Sequence, residues 1–187
     1  MSIAAAGSLL VLCIGNPSRG DDAIGAALYR WLQQWLDSPD AQGLPWDVEL
    51  LEDFQLQLEH ALDLRGRVLA LIIDAADPRS QVPLQCWRVQ PDAQVSHTSH
   101  ALSPGAVLQV FRQIEQAEPP PCVALAVRGE SFVLGEPLSA TALAHLALAK
   151  RFLVERLKDP AVERWAWALP PGPAAPAAAG GQSAGGC

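Results

Sequence analysis

Ser8-Leu9-Leu10-Val11-Leu12-Cys13-Ile14, closed by Gly15-Asn16-Pro17, is the stretch on which the fold turns. A short, continuous apolar run ending in turn residues is the pattern of a strand buried on both faces. After the polar loop Ser18-Arg19-Gly20-Asp21-Asp22, apolar residues return at Ile24, Leu28, Trp31, Leu32 and Trp35. That spacing predicts an amphipathic helix ending before Ser38-Pro39. Asp21 and Asp22 fall at its start, where the helix dipole favours carboxylates and free N–H groups invite capping.

The alternation continues outward from this unit. Trp46 to Leu51 reads as a second strand that reaches Glu52-Asp53, and Leu56 to Leu64 as a short helix. Val68 to Ala75 is another doubly buried strand, stopped by Asp77-Pro78. Leu84 to Val89 is a further strand, followed by a polar loop from Gln94 to His100 and a helix from about Ser103, with Pro104 in its first turn. Cys122 to Val127 is the last strongly apolar strand, and Ser139 to Lys158 a long helix with Ser139 as its N-cap. Strands alternating with helices predict a mostly parallel sheet covered on both faces, a three-layer α/β sandwich. The expected domain spans 1–168. Residues 169–187 turn to Pro, Ala and Gly without charge or periodicity and read as a disordered tail.

Composition narrows the function. The 187 residues are 50% apolar and 18% charged, which suits one globular domain, and the net charge is −7. No Lys/Arg cluster runs along a candidate helix, so nucleic acid is not an expected partner. No run approaches the roughly 20 apolar residues of a membrane span, and the N-terminus lacks a signal-peptide pattern. Cys13, Cys86, Cys122 and Cys187 form no CxxC, which fits a reducing cytoplasm. No Gly-Lys-Ser/Thr ending or GxGxxG follows the first strand, and no Gly-x-Ser-x-Gly elbow exists. Cys13 lies within an apolar strand, where a thiol is unreactive.

In a parallel α/β sheet, sites form beyond the carboxyl ends of the strands. Three polar segments qualify there: Gly15 to Asp22, Glu52-Asp53, and Ser96-His97-Thr98-Ser99-His100. A carboxylate from each of the first two with a histidine from the third makes an oxygen and nitrogen donor set suited to nickel or zinc. Taken singly, the same residues serve equally as helix caps, solvated loop charges and exposed imidazoles. His60 and His145 fall within helices and read as packing or surface residues.

Gly15-Asn16-Pro17-Ser18-Arg19-Gly20-Asp21-Asp22-Ala23-Ile24-Gly25, directly after an apolar strand, resembles the opening signature of the hydrogenase maturation endopeptidases. This family trims the C-terminus of [NiFe]-hydrogenase large subunits. Only Ala23 departs, standing where the pattern has its first glycine. Ile72-Ile73-Asp74-Ala75 resembles the family's strand-end Asp-Ala, and Ser99-His100-Ala101-Leu102-Ser103-Pro104 its histidine-bearing loop. The stretch Glu52 to Leu64 looks like the branch serving NAD-reducing hydrogenases. The resemblance covers roughly Leu9 to Leu157 and implies a three-layer α/β/α sandwich with a twisted, mostly parallel sheet.

Carried over by residue, the resemblance implies metal ligation by Asp22, Glu52 and His100, with Asp53 and His97 as the lesser candidates, and a catalytic role for Asp22. The metal implied is nickel held in the precursor substrate rather than tightly by the enzyme. The expected protein is a cytoplasmic, monomeric endopeptidase whose partner is the nickel-loaded large-subunit precursor. The alternatives are a metal-dependent hydrolase of small substrates and a non-catalytic nickel-site checkpoint or chaperone for that precursor.

Overall fold

A computed structural model describes residues 7–92, 102–161 and 164–165. Five strands, β1 (Gly7–Ile14), β2 (Trp46–Asp53), β3 (Leu69–Ala76), β4 (Leu84–Arg88) and β5 (Cys122–Arg128), form one sheet in the order β2-β1-β3-β5-β4. The pairs β1/β2, β1/β3 and β3/β5 are parallel, while the edge strand β4 runs antiparallel to β5. Among the described residues four α-helices cover it: α1 (Ile24–Leu36), α2 (His60–Asp63), α3 (Pro104–Glu115) and α4 (Ala140–Leu157).

The doubly apolar strands follow from this layering. Leu9, Val11 and Cys13 of β1 pack with Ile24, Leu28 and Leu32 of α1 and Leu146 and Leu153 of α4. The intervening Leu10, Leu12 and Ile14 face the opposite layer, with Ala61 of α2 and Val107, Leu108 and Phe111 of α3. Each side chain from Leu9 to Ile14 is therefore enclosed, as the lack of alternation predicts. No described helix is long and apolar enough to cross a membrane.

The connections fix where a site can form. From β1 the chain passes over one face through α1 to β2, then returns over the other face through α2 to β3 on the far side of β1. The chain thus leaves β1 over one face and reaches β3 over the other, and the carboxyl ends of these parallel neighbours lie side by side, where the crevice of a parallel α/β sheet places its site.

The helix expected over Leu56 to Leu64 is confined to His60–Asp63. Its early residues form side-chain-bonded turns instead: the Gln57 N–H donates to Nδ1 of His60 at 2.9 Å, and Gln57 Nε2 to Asp53 Oδ2 at 3.3 Å. Ser103 and Ser139 cap α3 and α4 as expected, accepting from the N–H groups of Ala106 and Ala142. The segment carrying His97 and His100 and the tail beyond residue 165 lie outside the described residues.

Candidate functional site

The Gly15 to Gly25 segment folds as a tight shelf on the end of β1. Gly20–Ala23 forms a 3-10 turn leading into α1. A Cβ on Gly25 would sit 1.9 Å from the Ile14 carbonyl oxygen, and one on Gly15, whose φ is +146°, 2.0 Å from the Asp22 carbonyl oxygen. These two glycines let the helix start rest directly on the strand. Ala23 has φ −67° and ψ −2°, a conformation open to any L-residue, so the departure from the family pattern costs nothing there.

The adjacent aspartates divide their work. Neither caps the 3-10 turn or α1. Asp21 is fully buried and reaches across the fold: Oδ2 accepts from the N–H groups of Glu130 and Ser131 and from Ser139 Oγ, and Oδ1 from the Ser139 N–H, all at 2.6–3.0 Å. Burial alone would raise its pKa; these donors outweigh it and hold the carboxyl below its usual range. Asp21 thereby ties the strand-end shelf to the loop between β5 and α4.

Asp22 is half-buried, and its Oδ2 accepts from the Asn16 N–H at 3.1 Å. Burial raises its pKa, against the pull of that hydrogen bond and of the nearby Arg19 guanidinium. Across the β1/β3 crevice lies Asp74, near the end of β3. Burial pushes the Asp74 carboxyl up to about 7, opposed by a 2.7 Å hydrogen bond from the Ala75 N–H and reinforced by the Asp22 charge. Two carboxyls in electrostatic contact at the crevice can hold and exchange a proton near neutrality.

The acids at the end of β2 are placed differently. Glu52 is exposed, stands in register with Cys13, and adds its charge to the burial that makes that thiol unreactive. Asp53, in register with Ile14, turns to the α2 side and is engaged there: Oδ1 accepts from the Phe54 N–H at 2.6 Å, and Oδ2 lies 3.4 Å from His60 Nε2. Because His60 Nδ1 accepts from Gln57, the ring proton sits on Nε2 and points to Asp53. No described contact joins Glu52 or Asp53 to Asp22. Among the described carboxyls Asp74 is in electrostatic contact with Asp22, and the sequence reading had it only in a supporting Asp-Ala motif.

Among the described residues no group of three His, Cys, Asp or Glu side chains is arranged to hold a metal ion. Asp22 and Asp74 supply two oxygen donors; His100 and His97 lie outside the described residues. The described cysteines, Cys13, Cys86 and Cys122, are free and buried, with the thiols of Cys86 and Cys122 pushed up to about 12. His145 is also accounted for, with Nδ1 2.7 Å from the Arg128 carbonyl oxygen.

No family model matches this chain, nor does any curated protein. Solved structures do. HycI of Thermococcus kodakarensis KOD1, a [NiFe] hydrogenase maturation protease, matches with a TM-score of 0.63 at 18% identity, over 82% of this chain and 94% of its own. The hydrogenase maturating endopeptidase HybD of E. coli matches at 0.60 and 25% identity, over 80% and 91%. The [NiFe] hydrogenase maturation protease HybD of Thermococcus kodakarensis matches at 0.57 and 19%, over 81% and 99%. The family indicated by the signature from Gly15 to Gly25 and the family indicated by the three-dimensional fold are the same one, the hydrogenase maturation proteases.

Proposed function

We propose that this chain is an endopeptidase that removes a C-terminal peptide from the nickel-loaded large-subunit precursor of a [NiFe] hydrogenase. The observation that carries this reading is the Asp22/Asp74 pair at the β1/β3 crevice of a fold shared with hydrogenase maturation proteases. Nickel is here part of the substrate. Two carboxylate oxygens provide part of a coordination sphere suited to a borderline divalent ion, and an ion delivered inside a precursor brings ligands of its own. We assign Asp22 and Asp74 as the carboxylate donors in place of Glu52 or Asp53. His100, followed by Ser103-Pro104 at the start of α3, is the proposed nitrogen donor.

The same pair fits peptide hydrolysis. A carboxylate oxygen of the pair takes a proton from the attacking water and returns it to the leaving amine. Metal in the precursor would supply Lewis acidity that activates the attacking water. Three buried, free thiols among the described residues accord with work in a reducing cytoplasm, and we take the monomer as the working form.

The test is intact mass spectrometry of a candidate large-subunit precursor, nickel-loaded and nickel-free, incubated with the wild-type protein or Asp22→Asn. Loss of a C-terminal peptide only from the nickel-loaded precursor, and only with wild type, is the expected result. Binding with no change of mass would instead establish a non-catalytic checkpoint. Turnover of simple peptides or esters with added metal, the precursor being left intact, would establish a hydrolase of small substrates.

A further inference from the structure

Arg19 sits on a loop braced by backbone hydrogen bonds at the end of β1. Its own N–H donates to the Asn16 carbonyl, and its carbonyl accepts from the Asp22 N–H, both at 3.1 Å. On either side, the Gly135 N–H donates to the Ser18 carbonyl and the Gly20 N–H to the Glu136 carbonyl. The side chain is exposed, and its Nε donates to the Phe132 carbonyl oxygen at 3.1 Å. The Phe132 ring lies against Gly129, whose N–H donates to the carbonyl of Ala76, two residues beyond Asp74. One bond therefore fixes the guanidinium beside the strand ends that carry the carboxylates.

The rest of the group is unspent. Among the described residues Arg19 forms no ion pair, and its two Nη nitrogens have no partner, although Asp22 is close enough to feel its charge. A planar fork already oriented by its Nε loses little entropy when it binds an oxygen. Asp22 and Asp74 are both acidic, so Arg19 supplies, among the described groups there, the positive charge that an oxyanion requires.

We propose that Arg19 is a catalytic residue that binds the carbonyl oxygen of the scissile amide through its Nη groups and stabilises the oxyanion formed on it. This rests on the peptidase reading above. As the water oxygen bonds to the carbonyl carbon, the π-electron pair moves onto the carbonyl oxygen facing the guanidinium. Water's proton goes to a carboxylate of the Asp22/Asp74 pair. When the tetrahedral carbon collapses, the C–N bond breaks, the amine leaves with a proton from that pair, and the new carboxylic acid releases the water's second proton to solvent. The new C-terminal carboxylate stays opposite Arg19, so the residue also holds the trimmed product.

Arg19→Gln and Arg19→Lys are compared with wild type on the nickel-loaded precursor, following trimming by intact mass and binding of the trimmed subunit by calorimetry. Removing an oxyanion donor lowers kcat by about 10²–10³-fold. For Arg19→Gln that loss is expected in kcat, with KM changed less than about threefold and weaker binding of trimmed product. Arg19→Lys, which keeps the charge, is expected to recover at least about tenfold of the loss. Equal activity of all three proteins, a defect confined to KM, or a lysine variant as poor as the glutamine one would overturn the proposal; the last would reduce Arg19 to a brace for the Phe132 loop. A wild-type protein that binds the precursor and leaves it uncut would refute the peptidase reading itself, a failure visible without either variant.

Discussion

At the scale of single residues, two aspartates pull in opposite directions with pH. Asp74 has a folded-state pKa of about 7 against an ordinary 3.8. Between those values the native protein holds a proton that the unfolded chain has released, so stability falls as pH rises from about 4 to 7 and levels off above. The shift corresponds to roughly 4 kcal/mol. Asp74→Asn, which cannot ionise, is expected to unfold at higher urea than wild type at pH 7.5 in metal-free buffer, with the two converging near pH 4; a variant weaker than wild type at pH 7.5 would count against the burial of this carboxyl. Asp21 behaves conversely. Its pKa is depressed, so its contribution is present above about 4 and lost as pH falls through the folded value. Asp21→Asn turns an amide donor toward N–H groups and should cost about 3 kcal/mol in urea unfolding at pH 7.

Elements explain why some residues were legible in the sequence and others not. The strands and the two long helices α1 and α4 follow from local apolar spacing, and Ser103, Pro104 and Ser139 announce helix starts with their own chemistry. The partner proposed for Asp22 does not follow, because it depends on which strand ends stand together. β1 lies between β2 and β3, so Glu52 and Asp74 both stand near the ends of strands next to β1, and it is the burial of Asp74 and its coupling to the Asp22 charge that favour it over the exposed Glu52. Asp21 reads locally as a cap, yet its acceptors' partners lie more than 100 residues away. The shelf itself invites a paired test. Gly25→Ala drives a Cβ into the Ile14 carbonyl and is expected to lower the thermal midpoint and abolish trimming. Ala23→Gly, which restores the family's glycine, should change stability by no more than about 1 kcal/mol and leave trimming intact.

For the whole molecule, the sheet, the two helical layers and the shelf form one unit around two apolar clusters that meet across β1, β3 and β5. The sequence expectation for 169–187 is a dispensable tail. Deleting 170–187 should leave the thermal midpoint and trimming near wild type, and a marked loss of either would give those residues a part in the fold or the site. Which carboxylates face the precursor decides how the molecule works. The most direct test is intact mass spectrometry of the nickel-loaded precursor with Glu52→Gln and Asp74→Asn side by side. Trimming by Glu52→Gln at about the wild-type rate and none by Asp74→Asn is the predicted result; trimming by Asp74→Asn with none by Glu52→Gln would contradict it.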